Sequence, residues 1–280
     1  MEGKYSHLIY DRPWPAEKQF EEKTRLLHIH MDEPIGISMR SSTTWYHTAS
    51  DNGKGQHTQD CSELLSWISG DPEHPWDLDG EVILYQNGEK KVLHNSFFLE
   101  TPPYMPHCPY HVTKTTRPMI HVAVPVSSDM HVTDMFDFPL HDDVETHYYD
   151  SYYTLDAQGD DRPEIPGEVR VLYADGKKCP GGKVLRVSWF KEDVPEGLTG
   201  MHKHDFDELL LFMGGDFYDP YDLKAEVTFT LGDEEYTINK TSYVAVPAGL
   251  AHGGFKIRNL THPMFFCAFH NTEEYRQIPV

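Results

Sequence analysis

Met201-His202-Lys203-His204-Asp205-Phe206-Asp207-Glu208, closed by Pro247-Ala248-Gly249-Leu250-Ala251-His252, is the stretch on which the reading of this chain turns. The first half of the sequence carries a second version of it. There His57-Thr58-Gln59-Asp60-Cys61-Ser62-Glu63 is followed by Pro102 and His107. An ungapped shift of 145 residues sets His57 on His202, Gln59 on His204, Glu63 on Glu208 and His107 on His252. The spacing is thus duplicated, with glutamine in one copy where the other has histidine.

The likeness extends outward from these residues. Glu63-Leu64-Leu65 falls on Glu208-Leu209-Leu210, Asp77-Leu78 on Asp222-Leu223 and Glu81-Val82 on Glu226-Val227. Between 61 and 107, 13 of 47 positions are identical to their counterparts, and Arg25 and Leu27 fall on Arg170 and Leu172. A period this long implies duplication of a whole domain, not an array of small stacked repeats. The expected division is an arm at 1–24 with a short helix over 16–23, a first domain at 25–125, a linker at 126–167, a second domain at 168–272 and a tail at 273–280. The linker carries Tyr148-Tyr149 and Tyr152-Tyr153, read as packing between the domains.

Each repeat reads as short apolar or alternating runs separated by Gly, Pro, Asn and Asp, the signature of an all-β domain. Glu81 to Leu93 contains Asn87-Gly88 between two alternating runs, a strong hairpin signal. In the second repeat, strands are expected at 169–173, 183–191, 207–213, 225–230, 235–239, 242–246 and 264–269. Trp67 and Trp189 are assigned to the core.

The net charge of −21 argues against nucleic acid or an anionic membrane as partner, both of which call for a basic surface. The four cysteines, Cys61, Cys108, Cys179 and Cys267, form no Cys-x-x-Cys pair and no evident disulfide framework. Met1 to Tyr5 has no apolar signal region, so a cytoplasmic location is the default expectation. A small-molecule substrate and a homo-oligomer are the expected partners.

His202, His204 and Glu208 share even parity, so in a continuous strand they would project from one face. His252 follows the turn at Pro247-Ala248-Gly249 and can approach from across a barrel. Three imidazoles and a carboxylate, with coordination positions left open, suit Fe, Mn, Ni, Zn or Cu. In the first repeat His57, Gln59, Glu63 and His107 occupy the same spacing. The amide oxygen of Gln59 is a weaker donor, and Tyr104 stands where the second repeat has Gly249. Three readings stay open there: a weaker or different metal, an organic ligand or none, and a structural core. Phe212 and Lys256 share parity with the ligands and are candidate pocket residues. Cys108, of opposite parity to His107, is expected to turn away as an inert buried thiol.

Gly200-x-His202-x-His204-x3-Glu208, with Gly232 and Pro247-x-Gly249-x-x-His252 after it, resembles the two motifs of the cupin superfamily. Across both repeats the chain is similar to a bicupin. The resemblance implies two tandem double-stranded β-helix (jelly-roll) barrels with a metal inside the second, iron or manganese favoured. It leaves the chemistry open, since one fold carries many reactions. The leading expectation is a metal-dependent oxidoreductase of the dioxygenase type acting on a small organic substrate. The alternatives are a redox-neutral decarboxylase or isomerase and a non-catalytic protein that uses metal to bind a small molecule.

Overall fold

The computed structural model describes every residue except 1, 2, 52–54, 136, 146–149 and 180, and only the backbone of 18 and 143–145. Tyr148 and Tyr149 therefore lie outside the described residues. Strands make up 51% of the chain and nearly all of its regular structure. The expected helix over 16–23 is a single 3-10 turn at Ala16–Lys18, because Lys23 already begins the strand Lys23–Ile29.

Four sheets make two barrels. In the first, one sheet runs Tyr153–Thr154, Phe97–Thr101, Glu63–Ser69, Met119–Pro125, Ser41–Tyr46, Lys23–Ile29. The facing sheet runs Val132–Asp134, His57–Gln59, His107–Thr115, Asp77–Gln86, Glu89–Asn95, His141–Glu145, with Ser50–Asp51 also paired to His107–Thr115. In the second barrel, Ile9–Tyr10, Ser242–Val246, Glu208–Gly214, Met264–His270, Val184–Phe190 and Glu168–Ala174 form one sheet. Glu234–Lys240, Asp222–Leu231, His252–Arg258, His202–Lys203 and Ile278–Pro279 form the other.

The duplication seen in sequence recurs strand by strand. Lys23–Ile29, Glu63–Ser69, Asp77–Gln86, Glu89–Asn95, Phe97–Thr101 and Met119–Pro125, shifted by 145, give the bounds of Glu168–Ala174, Glu208–Gly214, Asp222–Leu231, Glu234–Lys240, Ser242–Val246 and Met264–His270. Even the bulge between Arg25 and Leu27 reappears between Arg170 and Leu172. The hairpin turn has positive φ at both Asn87 and Gly88, as a tight two-residue hairpin requires.

Burial shows how the barrels meet. Asp222–Leu231 alternates buried with half-buried or exposed residues, because its outer face meets water. Glu208–Gly214 and Met264–His270 are buried along their whole length, as a strand must be when both faces are covered. One face looks into the barrel and the other joins a core shared with the first domain, in which Leu26, Leu27 and Ile120 belong with Leu209, Leu211 and Val244. A buried polar contact crosses the same junction: the Tyr243 hydroxyl meets Ser41 Oγ at 2.5 Å and also Thr43 Oγ1. The N-terminal arm reaches the second barrel, with Ile9 opposite Val244 and Tyr10 opposite Tyr243. Segments between the repeats pair with the first barrel, Val132 opposite Gln59 and Tyr153 opposite Leu99.

Candidate metal centre

His202 lies on the five-stranded sheet and Glu208 on the six-stranded one. The chain breaks from strand at 204–207 to cross between them, so the convergence of His202, His204 and Glu208 does not come from one continuous strand. His252 opens its own strand and is the direct partner of His202. The ring centroids of His202 and His252 are 4.4 Å apart, and that of His204 is 4.7 Å from the first and 5.0 Å from the second.

Each imidazole is oriented by a backbone carbonyl. His202 Nδ1 meets Gly200 O at 2.8 Å, His204 Nδ1 meets Arg276 O at 2.8 Å, and His252 Nδ1 meets Leu250 O at 3.0 Å. A carbonyl can only accept, so each Nδ1 carries the proton and each Nε2 presents a lone pair. The donor nitrogens lie within 4.8 Å of one another. Glu208 Oε2 is 3.0 Å from His252 Nε2 and 4.0 Å from His204 Nε2. Among the described residues none of these four buried atoms has a hydrogen-bond partner of acceptable geometry. Buried lone pairs left facing one another are costly, and a shared cation relieves all of them. The donor set therefore fits a divalent metal.

Electrostatics agrees. Burial lowers His202, and lowers His204 to about 4, so both are neutral donors near neutral pH. Glu208 is held well below the usual carboxylate range: burial pushes it up, but His270 and His252 outweigh that. Burial also works against a proton on His252, yet Glu208 raises it. Glu208 thus stays ionised among neutral imidazole donors.

His270, absent from the sequence-derived set, is fully part of this centre. It sits opposite Glu208 on the neighbouring strand, and its Nε2 is 2.7 Å from Glu208 Oε1. It fixes the carboxylate from behind, as outer partners of metal ligands do. The C-terminal tail also takes part: Pro279 pairs with His202, Arg276 supplies the carbonyl for His204, and the Tyr275 ring lies 5.1 Å from that of His204.

A cavity of about 50 Å³ adjoins the cluster, with Arg186, Thr199, Phe255, Phe266 and Tyr275 among its walls. Neither Phe212 nor Lys256 lines it. Phe212 is fully buried in a stack with Phe229, Phe255 and Phe266. A register shift between Thr228 and Thr230, opposite Gly253 and Gly254 at positive φ, reverses the parity beyond His252 and turns Phe255 inward instead of Lys256. Arg162 is committed to Asp160 and Glu168 at 2.7 and 3.0 Å. Arg186 is buried, lies 3.5 Å from Asp160 and stacks on Tyr275 at 4.2 Å.

The first barrel repeats the frame with different chemistry. His57 is the direct partner of His107, with ring centroids again 4.4 Å apart at the same 58°. His107 Nε2 is 3.1 Å from Glu63 Oε2. Gln59 is buried beside them. Cys108 departs from expectation: its sulfur is gathered with His57 and His107. The parity argument fails because Cys108 has φ +71° and the pairing register shifts between His107 and Tyr110. Above this cluster is a larger cavity of about 380 Å³, bounded in part by Lys23, Tyr46, Tyr110 and His121.

No family model and no curated protein sequence matches the chain. Solved structures do. Vicilin from Corylus avellana (hazelnut) is 8% identical with a TM-score of 0.62, covering 98% of this chain and 88% of that one. Oxalate decarboxylase from Bacillus subtilis is 11% identical with a TM-score of 0.58, covering 92% and 74%. The chain shares the two-barrel fold of these structures, the fold expected of a bicupin. Among the described residues no helix is long and apolar enough to cross a membrane.

Proposed function

We propose that the second barrel is a metal-dependent active site for a compact carboxylate, acting without net redox change as a decarboxylase or isomerase does. The observation that carries this is the small cavity of about 50 Å³ that joins three of the four residues with unpartnered ligand atoms, His202, Glu208 and His252, to a buried arginine, Arg186. His202, His204, His252 and Glu208 would hold the metal, with iron or manganese the favoured ions, and it would act as a Lewis acid on the substrate's carboxylate or carbonyl. Arg186 would orient the carboxylate through its planar donors, with Tyr275 stacked against it. Burial pushes the Tyr275 phenol up to about 12, so it keeps its proton near neutral pH and can donate. Phe255 and Phe266 exclude water. The structural likeness to oxalate decarboxylase supports the reading.

The dioxygenase reading is the second, favoured by the donor set itself, since three imidazoles and a carboxylate with open positions suit an oxygen-activating iron. Small mono- and dicarboxylic acids, incubated with protein purified and assayed with and without oxygen, separate the two. Turnover without oxygen uptake, lost in Arg186→Gln at unchanged metal content, is expected. Oxygen consumed in step with substrate would establish the second reading. A ligand bound and recovered unchanged would identify a binding protein.

A further inference from the structure

We propose that the first barrel holds a second metal site of a different kind, in which Cys108 supplies the ligand that Gln59 no longer provides. Its donors are His57, His107 and the Cys108 thiolate, with Glu63 as the fourth, and its ion is thiophilic and divalent, zinc above all. This does not rest on the activity proposed for the second barrel.

Three independent observations converge. First, the side-chain donors of His57, His107 and Cys108 lie within 4.8 Å of one another on three buried residues. In the second barrel the same description is met by His202, His252 and His204. Cys108 thus completes the trio in the barrel where position 59, the counterpart of His204, is an amide. Second, the two histidines keep a ligand's orientation. His107 Nδ1 meets Met105 O at 3.0 Å and His57 Nδ1 meets Gly55 O at 3.3 Å, which turns each Nε2 inward as at the other site. Third, Cys108 occupies the place of Gly253 in the duplicated frame. Gly253 has φ +139° and Cys108 has φ +71°, a region that side chains other than glycine's rarely adopt. A cysteine held there carries its sulfur to the inside of the barrel, beside the histidines, where an ordinary strand would send it outward. Non-glycine residues held in such conformations cluster at functional sites.

The chemistry follows from the donors. Two imidazoles, a thiolate and a carboxylate are a zinc-type set, satisfied by four-coordinate geometry. The thiolate shifts preference away from the harder ions that the second site's imidazoles and carboxylate accept. Binding displaces two protons to solvent, that of the thiol and the one shared between His107 Nε2 and Glu63 Oε2. The cavity of about 380 Å³ above the cluster is the entry path. The two barrels would therefore carry two unlike metals.

Cobalt(II) titrated anaerobically into the metal-stripped, full-length protein tests this. The wild type should bind two ions per chain and develop a near-ultraviolet sulfur-to-cobalt charge-transfer band. Cys108→Gly, which installs the residue the twin barrel uses and relieves the backbone, should lose the band. Its affinity for that ion should fall by more than the roughly 10–100-fold that loss of an outer-shell partner costs. Cys61→Ser and His202→Ala should keep the band. As a check independent of variant folding, cobalt should slow iodoacetamide labelling of Cys108 in the wild type, read by peptide mass. A wild type with no charge-transfer band, a band that survives Cys108→Gly, or labelling of Cys108 indifferent to cobalt would overturn the proposal.

Discussion

Glu100 is a carboxylic acid at the junction of the two barrels, and it makes their stability depend on pH. It lies on the first-barrel strand Phe97–Thr101 and is only 1% exposed. Its Oε2 accepts the backbone N–H of Lys183, in the second domain, at 3.3 Å, and its Oε1 has no partner among the described residues. Burial outweighs that bond and raises the group from 4.5 to about 7. At about 1.4 kcal/mol per pH unit, the ionised form weakens the native state by about 3 kcal/mol. The sign follows from linkage. The folded pKa is above the unfolded one, so this contribution is fully favourable below about pH 4.5 and is lost as pH rises through about 7. Glu100→Gln removes the charge at every pH and keeps the shape. Other carboxylates also titrate, so the informative quantity is the difference between variant and wild type in urea unfolding. The variant should be within about 1 kcal/mol of wild type near pH 4.5 and more stable by about 3 kcal/mol near pH 8. A difference that stays constant across that range would refute the reasoning.

Three further outcomes are expected. His270→Ala removes the 2.7 Å partner of Glu208 and should weaken second-site metal binding by about 10–100-fold, measured by competition with a chelator; unchanged affinity would deny it that role. Tyr243→Phe leaves the Ser41 and Thr43 hydroxyls without the phenol that joins the barrels and should cost about 1–3 kcal/mol, read as a lowered unfolding midpoint. Removing residues 275–280 deletes the carbonyl that orients His204 and the strand paired to His202; metal content of the second site should fall while the first barrel's cobalt band is retained.

Much of the fold was legible because its signals are local. The Asn87-Gly88 turn and the alternating runs need only neighbouring residues, the ungapped offset of 145 needs only the sequence set against itself, and the strands follow them. The cluster was legible because its residues fall in two short motifs, His202 to Glu208 and Pro247 to His252, each with its own fixed spacing. What escaped depends on register between strands distant in sequence. His270 faces Glu208 only because Met264–His270 pairs with Glu208–Gly214. Its only sequence trace is a lone histidine ending the apolar run Met264-Phe265-Phe266-Cys267-Ala268-Phe269. Arg186 and the tail reach the site by the same long-range pairing. Parity counting failed wherever a bulge changed the count, at Cys108 and again between His252 and Lys256, since a one-residue shift exchanges the two faces of a strand.

The central claim is that His202, His204, His252 and Glu208 hold one metal ion in the second barrel. The most direct measurement is a crystal structure of protein purified without chelators, with anomalous difference maps recorded on both sides of the metal's absorption edge. A peak should lie within bonding distance, about 2 Å, of each of the three Nε2 atoms, with Glu208 completing the set and His270 bonded to its other oxygen. A fully occupied crystal with no peak there, or with the metal bound through Nδ1 after the carbonyl contacts have broken, would contradict the account.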